Sequence, residues 1–398
     1  MPAALYTLLI TDQTLEVVGD PIIGWTSLDV TLRRNEPDNG VFSVPGWPWV
    51  LEQLRAGARV VVIEHRGDTP GVGQILTAGP IEEWMHEQSD DGDNAGVGNV
   101  TVNFASDLAL IAGRCTYPNP AVTADDQDID SWQYTGNAEQ ALRALINANV
   151  GPGALPRRRI PQLVLGATAG VGTNVTVATQ RMQPLTEVAR DIADTGGDLT
   201  FRTRQVGKQI LFEVDKPADA SAQARFGFAL GNMKYRSFVA KGPSATTAIV
   251  GGQGEGASRR LIERTNDTDE AVWWRIERLV SEDGNVDLST LEADATNALA
   301  KGAPTTRLTS NVVDGPGARF GIDYVIGSPV AVEVGPGVWQ TDIVTLVHLQ
   351  AWPTAGSLFA AMIGDQSDRT DPIWVQKLRE YDERMATVER TVKPAQLP

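Results

Sequence analysis

The chain has 398 residues, with 34 Lys and Arg against 50 Asp and Glu, giving a formal net charge of −16 at pH 7. A composition 42% hydrophobic and 21% charged, with apolar positions along the whole length, excludes global disorder and supplies cores for about two to three domains. The acidic balance excludes a general nucleic-acid wrapping surface, no apolar run reaches the roughly 20 residues of a bilayer span, and a single cysteine excludes intrachain disulfides and thiolate zinc sites.

Met1–Ile10 has no basic region before its apolar stretch, so a soluble chain without a standard export signal is expected. Leu28, Val30 and Leu32 alternate with Asp29, Thr31 and Arg33 as in a half-buried strand. Asn39-Gly40 reads as a tight hairpin turn returning through Val41 to Val44. Three more strand-like runs follow at Ala58 to His65, Gln74 to Glu87 and Asn99 to Phe104. Residues 1–124 thus read as an N-terminal β-barrel domain, with Cys115 as a buried small hydrophobe.

From 125 the period changes. Ala138, Ala141, Leu142, Leu145 and Ile146 mark one helix face, with Asn137 as cap and Gly151 beyond its end. Pro184 opens a second helix carrying Leu185, Val188, Ala189, Ile192 and Ala193, stopped by Gly196-Gly197. Strands at Gln162 to Leu165, Asn174 to Val177, Leu199 to Arg204 and Gln209 to Val214 complete an α+β domain over 125–222.

Residues 223–366 return to β character and read as a second barrel domain. Its runs are Ala245 to Val250, Ala271 to Val280, Arg307 to Val313, Asp323 to Val334, Val338 to Trp352 and Leu358 to Ile363. One helix interrupts them, opened by a capping box of Ser289 and Glu292 and closed near Gly302. The fold class expected is therefore α+β, mainly β.

Two stretches share an order of strand, short turn, long strand ending in Trp, loop, strand. One runs from Val60 through Trp84 to Phe104, the other from Val330 through Trp352 to Ile363. A duplicated barrel and two unrelated meanders both fit that pattern.

After Asp371-Pro372, residues Trp374, Leu378, Tyr381, Met385, Val388 and Val392 recur at spacings of 4, 3, 4, 3 and 4. That is a heptad seam flanked by charges, so 367–398 reads as a C-terminal helix for oligomerisation; an amphipathic helix lying on its own domain fits as well.

Residue patterns that carry chemistry are sparse. His65, His86 and His348 lie far apart within strands and read as packed or surface residues rather than catalysts. Gly166-Ala167-Thr168-Ala169-Gly170 has Thr where a nucleophile elbow needs Ser. Gly251-Gly252-Gln253-Gly254-Glu255-Gly256 is followed by Ala257-Ser258-Arg259-Arg260, not by the apolar helix of a nucleotide site. Asp126, Asp128 and Asp130 begin like a calcium loop, but Ser131 and Asn137 stand where Gly and Glu belong; Asp91 and Asp93 start a weaker one. Both read as solvated loops. Glu82-Glu83-Trp84 is the best carboxylate pair for glycan cleavage, and Trp47-Pro48-Trp49 could stack on sugars. These features keep a carbohydrate-binding module or cell-wall glycan hydrolase as an alternative. No catalytic residue, metal or cofactor is expected.

The order of short motifs resembles a known family. Gly19-Asp20-Pro21-Ile22-Ile23 leads to Leu32-Arg33-Arg34-Asn35 and Gly40-Val41-Phe42-Ser43-Val44-Pro45. Gly79-Pro80-Ile81 follows, then Asp107-Leu108-Ala109-Leu110 before Arg114 and Pro118. Gly251 to Arg260 and Arg275-Ile276-Glu277 before Ser281-Glu282-Asp283-Gly284 come next. Last is Asp323-Tyr324-Val325-Ile326-Gly327-Ser328-Pro329-Val330, with Ser328 where Asp is usual. Over residues 5 to about 365 this resembles the minor tail or baseplate hub proteins of long-tailed, siphovirus-type phages of actinobacteria. The resemblance implies two tail-tube-like barrels per chain with an α+β domain between them, and a structural, non-enzymatic virion protein at the tail tip, assembled in the host cytoplasm. It implies a homotrimeric hub whose six barrels match a sixfold tube. Its partners would be distal tail and tail-tube proteins, the tape-measure protein and receptor-binding tip proteins, with DNA only in transit and no stable membrane insertion.

Overall fold

The computed structural model describes residues 6–65, 73–90, 96–252, 258–281, 288–312, 318–353 and 356–364. The seam residues Trp374, Leu378, Tyr381, Met385, Val388 and Val392, and the pair Asp91 and Asp93, lie outside them. The chain is α+β and mainly β, with 43% of its residues in strands and 18% in helices.

The first β segment runs β1 (Tyr6–Thr11), β2 (Ser27–Arg33), β3 (Asn39–Pro45), α1 (Pro48–Leu51), β4 (Arg59–Glu64), β5 (Gln74–Glu87), β6 (Asn99–Ala105) and α2 (Leu108–Ala112). The middle segment holds β7 (Gln133–Asn137), α3 (Ala138–Asn149), β8 (Leu163–Leu165), β9 (Asn174–Ala178), α4 (Leu185–Thr195), β10 (Thr200–Val206) and β11 (Gln209–Asp215). The last begins with β12 (Arg225–Phe226), β13 (Met233–Lys241), β14 (Thr247–Gly251), β15 (Leu261–Thr265), α5 (Asp267–Trp273), β16 (Glu277–Ser281) and α6 (Leu288–Gly302). It ends with β17 (Thr305–Val312), β18 (Pro329–Gly335), β19 (Val338–Trp352) and β20 (Gly356–Gly364).

The two β segments expected as barrels meet in one 12-stranded sheet, ordered β1-β4-β5-β6-β3-β2-β19-β20-β17-β13, with β18 and β12 branching from β19. No closed barrel forms among the described residues. In the first segment β2 pairs with β19, so the edge that closure would need is used to join the two segments; in the second, β13 pairs only with β17 and β12 only with β18 among those residues. One core runs through the join, from Tyr6, Leu8 and Phe42 to Phe226, Leu349 and Ile363.

The middle segment has its own core. The apolar faces of α3 and α4, including Leu142, Leu145, Val188 and Ile192, pack with Phe201 and Phe212. Asn137 caps α3 as expected, its Oδ1 accepting from the Gln140 N–H at 3.3 Å. A third, smaller core joins α6 to β14 through Ala248, Val250, Leu291 and Ala295.

Several local expectations are corrected. Asn39-Gly40 is not a turn but the start of β3; the chain turns earlier, at Asn35, which takes φ +57°. Gly40 is there for space, because a Cβ would sit 2.3 Å from the Phe104 ring. Ala271 to Val280 is not one strand: α5 takes its beginning, since the Asn266 side chain accepts from the Asp269 N–H, and Trp274 at φ +63° turns the chain into β16. Cys115 is exposed, not buried. The strands β1, β7, β12, β13 and β15 had no counterpart in the sequence reading.

Candidate assembly interface

The two β segments share one strand order, the second with β14, β15, α5, β16 and α6 inserted after β13. In chain order β1, β2, β3, β4, β5, β6 correspond to β12, β13, β17, β18, β19, β20. The sheet order is 1-4-5-6-3-2 in the first set and 12-18-19-20-17-13 in the second. The outermost pair differs: β1 runs antiparallel to β4, whereas the two-residue β12 runs parallel to β18.

The registers agree where each long strand changes partner and across the inner strands that follow. In β5 the partner changes from β4 to β6 between Pro80 and Ile81, and Glu82 is the extra residue of a bulge. In β19 the partner changes from β18 to β20 between Ile343 and Val344, and Thr345 is the extra residue. Aligning the bulges places Trp84 on Val347, Met85 on His348 and His86 on Leu349. Following the pairings through β6 and β20, then β3 and β17, places Val30 on Phe238, Thr31 on Val239 and Arg33 on Lys241. Of the two readings left by the sequence, the duplication is the one the fold carries.

The halves join where β2 of the first lies antiparallel to β19 of the second. Leu346 opposes Arg33, Val347 Leu32, His348 Thr31, Leu349 Val30, Gln350 Asp29 and Ala351 Leu28. Alternate pairs face the core and are buried: Val347 with Leu32, Leu349 with Val30, Ala351 with Leu28. On the other face Asp29 accepts from Gln350 Nε2 at 3.1 Å and lies 2.7 Å from His348 Nε2.

The equivalent positions, on the second half of β5 beyond its pairing with β4 and on β13 at the end of the sheet, lack this neighbour. The second half of β5 pairs only with β6, and β13 only with β17, among the described residues. Exposure follows. Trp84 is 43% exposed where its equivalent Val347 is 0%, and Phe238 is 37% exposed where Val30 is 0%. Met85 and Val239 are half open at 50% and 47%. The open part of β5 carries Glu82, Glu83 and Glu87 without a cation, while β13 carries Lys or Arg at 234, 236 and 241 without an acid.

A buried polar cluster fixes the first half against the middle segment. Arg59 donates to both Asp107 oxygens at 2.5 Å, to Thr11 Oγ1 at 3.2 Å and to Gln205 Oε1 at 3.2 Å. Burial still pushes the Asp107 carboxyl up to about 6, against the pull of Arg59. Asn35 donates to the Leu199 carbonyl at 3.0 Å and accepts from the Phe201 N–H at 2.8 Å. Nearby, burial pushes Asp38 up to about 6, although it accepts from the Arg33 N–H and the Thr77 hydroxyl.

The chemistry candidates stay apart. His65 lies 2.8 Å from Thr7 Oγ1, His86 2.9 Å from the Val97 carbonyl, and His348 at the join. Asp126 accepts from Thr123 Oγ1 and Asp128 from Asn119 Nδ2; no set of three metal-ligating side chains gathers among the described residues. In the 166–170 loop, the N–H groups of Ala169 and Gly170, with that of Val171, donate to the buried Glu139 carboxylate at 2.7–3.0 Å. That loop is a structural clamp on α3. Arg259 donates to the carbonyls of Gly251 and Gly252. Trp47 and Trp49 stack on each other at 5.7 Å, and Glu82 and Glu83 lie on the open strand.

β13 is the strand of this candidate interface that the sequence reading missed. Its signal was short: Met233 and Tyr235 alternate with Lys234 and Arg236, and the pattern fails at Phe238-Val239.

Residues 7–365 match the family model described as Siphovirus ReqiPepy6 Gp37-like protein. Among solved structures, the chain is similar to a 43 kDa tail protein of prophage MuSo2 from Shewanella oneidensis, at 10% identity and TM-score 0.51, covering 90% of this chain and 98% of that one. It is similar to a tail protein from Neisseria meningitidis at 13% identity and TM-score 0.52, covering 91% and 97%. It is also similar to prophage tail protein gp18 from Listeria monocytogenes at 11% identity and TM-score 0.50, covering 94% and 98%. At these identities the likeness is one of fold. No curated protein matches the sequence.

Proposed function

This chain belongs to the Siphovirus ReqiPepy6 Gp37-like protein family, and we propose that it is a non-enzymatic structural protein of a phage tail, forming a trimeric hub at the distal tip. The observation that carries this reading is the duplication: two half-sheets of one topology, joined head to tail through β2 and β19. A contact that joins unlike edges propagates, and it closes into a ring when the rotation between units divides the circle. Three chains supply six half-sheets, the number that matches a sixfold tail tube.

The hub links the tail tube to tip proteins and surrounds a channel for the tape-measure protein and then DNA. The net charge of −16 suits such a wall, because acidic residues repel phosphate and basic ones would retain it. The seam from Trp374 to Val392 gives three chains a second, axial contact.

Copy number tests the reading. Quantitative mass measurement of intact tails should return three copies of this chain per tail. A count of one or two would overturn the trimeric hub.

A further inference from the structure

We infer that the open edge of β13 of one chain pairs with the open half of β5 of a second copy, in the register that β2 and β19 already use within one chain; this rests on the hub reading and names its contact. Leu346–Arg33 becomes Glu83–Lys241, Val347–Leu32 becomes Trp84–Ala240, His348–Thr31 becomes Met85–Val239, and Leu349–Val30 becomes His86–Phe238. The chains run antiparallel across the contact.

Three observations select a second copy as the occupant. First, the contact repeats a junction the protein already makes, between the same two strand positions. Second, the positions that the junction buries in one half, Val30 and Val347, are exposed as Phe238 and Trp84 where the neighbour is absent. Third, the two edges complement each other in charge, with Glu82, Glu83 and Glu87 on β5 and only cationic residues among the charges of β13. Opposite charges across an antiparallel pair stabilise it, and like charges would resist slipped or β5-to-β5 pairing. The layer facing the core sets bulky Trp84 against small Ala240, so the two side chains share one space.

The same two edges do not pair within one chain among the described residues: β6, β3, β2, β19, β20 and β17 lie between them in the sheet, and neither edge has a partner beyond β6 or β17. A bridge between two chains is read as a covalent dimer or trimer on a denaturing gel, and one within a chain as a monomer.

The test is a disulfide in full-length chain carrying Cys115→Ser, Met85→Cys and Val239→Cys, assembled into tails and mildly oxidised. Directly opposed residues in an antiparallel pair have Cα atoms about 4.5–5.5 Å apart, within disulfide reach. The expected result is covalent dimers and trimers with both cysteines and monomer with either alone. The shifted pair Met85→Cys with Ser237→Cys should cross-link far less; equal or greater bridging there would overturn the register. Three copies per tail with no bridge in either pair would overturn the edge contact and leave the hub standing. A variant that fails to assemble is replaced by Val239→Cys alone, whose thiol should react with maleimide in free chain and be shielded in tails. Full reactivity in tails would overturn the contact. One or two copies per tail would remove the hub reading itself.

Discussion

Asn35 and Asp38 show how much of the first half depends on single side chains that sequence periodicity cannot see. Asn35 accepts a left-handed backbone and spends its amide on Leu199 and Phe201, more than 160 residues away in sequence. The sequence placed the turn at Asn39-Gly40 because that dipeptide is the commoner turn former, yet the glycine answers to the Phe104 ring. Asp38 gives a prediction with a definite sign. Its folded carboxyl sits near 6, above the ordinary 3.8, so the folded state holds the proton more tightly. The stability this contributes is complete below about pH 4, falls as pH rises toward 6, and is absent above it. Asp107 acts in the same direction through its own burial. Asp38→Asn removes one of these two costs and can retain the Arg33 and Thr77 contacts. Compared with the parent chain, it should gain on the order of 1–3 kcal/mol at pH 7.5 and nothing at pH 4, measured as Tm at both values. An equal change in Tm at both pH values would contradict the assignment.

At the scale of elements, strands and helices with clean periods were legible and those defined by their neighbours were not. β2, α3 and α4 carry one apolar face each and appear where the spacing puts them. β13 was invisible because its pattern belongs to an edge, where Phe238, Val239 and Ala240 are exposed in sequence. α5 was missed because its first turn, Asp267 to Glu270, is polar and reads as loop, while the short apolar run from Ala271 to Trp273 reads equally as strand. The same blindness hid the candidate site: the Glu82 bulge and the open half of β5 have meaning only beside Thr345 and the filled half of β19. The seam from Trp374 to Val392 supports a prediction at this scale. In a trimer, Leu378→Asp puts three carboxylates into one apolar seam, at a cost on the order of several kcal/mol each. Incorporation into tails should fall while the Tm of the Met1–Gly364 unit stays unchanged. Normal incorporation with a clearly lowered Tm would show instead that the segment packs on its own chain.

At the scale of the whole molecule, two chemically dull β segments become informative because they repeat. The shared order of strand, turn, long Trp-ending strand, loop and strand was visible in the sequence, but identities alone could not separate duplication from resemblance between meanders. Register separates them, since a bulge at Glu82 and another at Thr345 occupy the same place in strands that change partner at the same point. A protein with two equivalent half-sheets, one satisfied junction and two complementary open edges is built to continue into copies of itself. The most direct measurement is a reconstruction of the tail tip without imposed symmetry. Three copies of this chain should place six equivalent half-sheets around one axis, with β2–β19 junctions alternating with β13–β5 junctions. A ring of six copies, or three copies whose β5 and β13 edges face solvent, would contradict it.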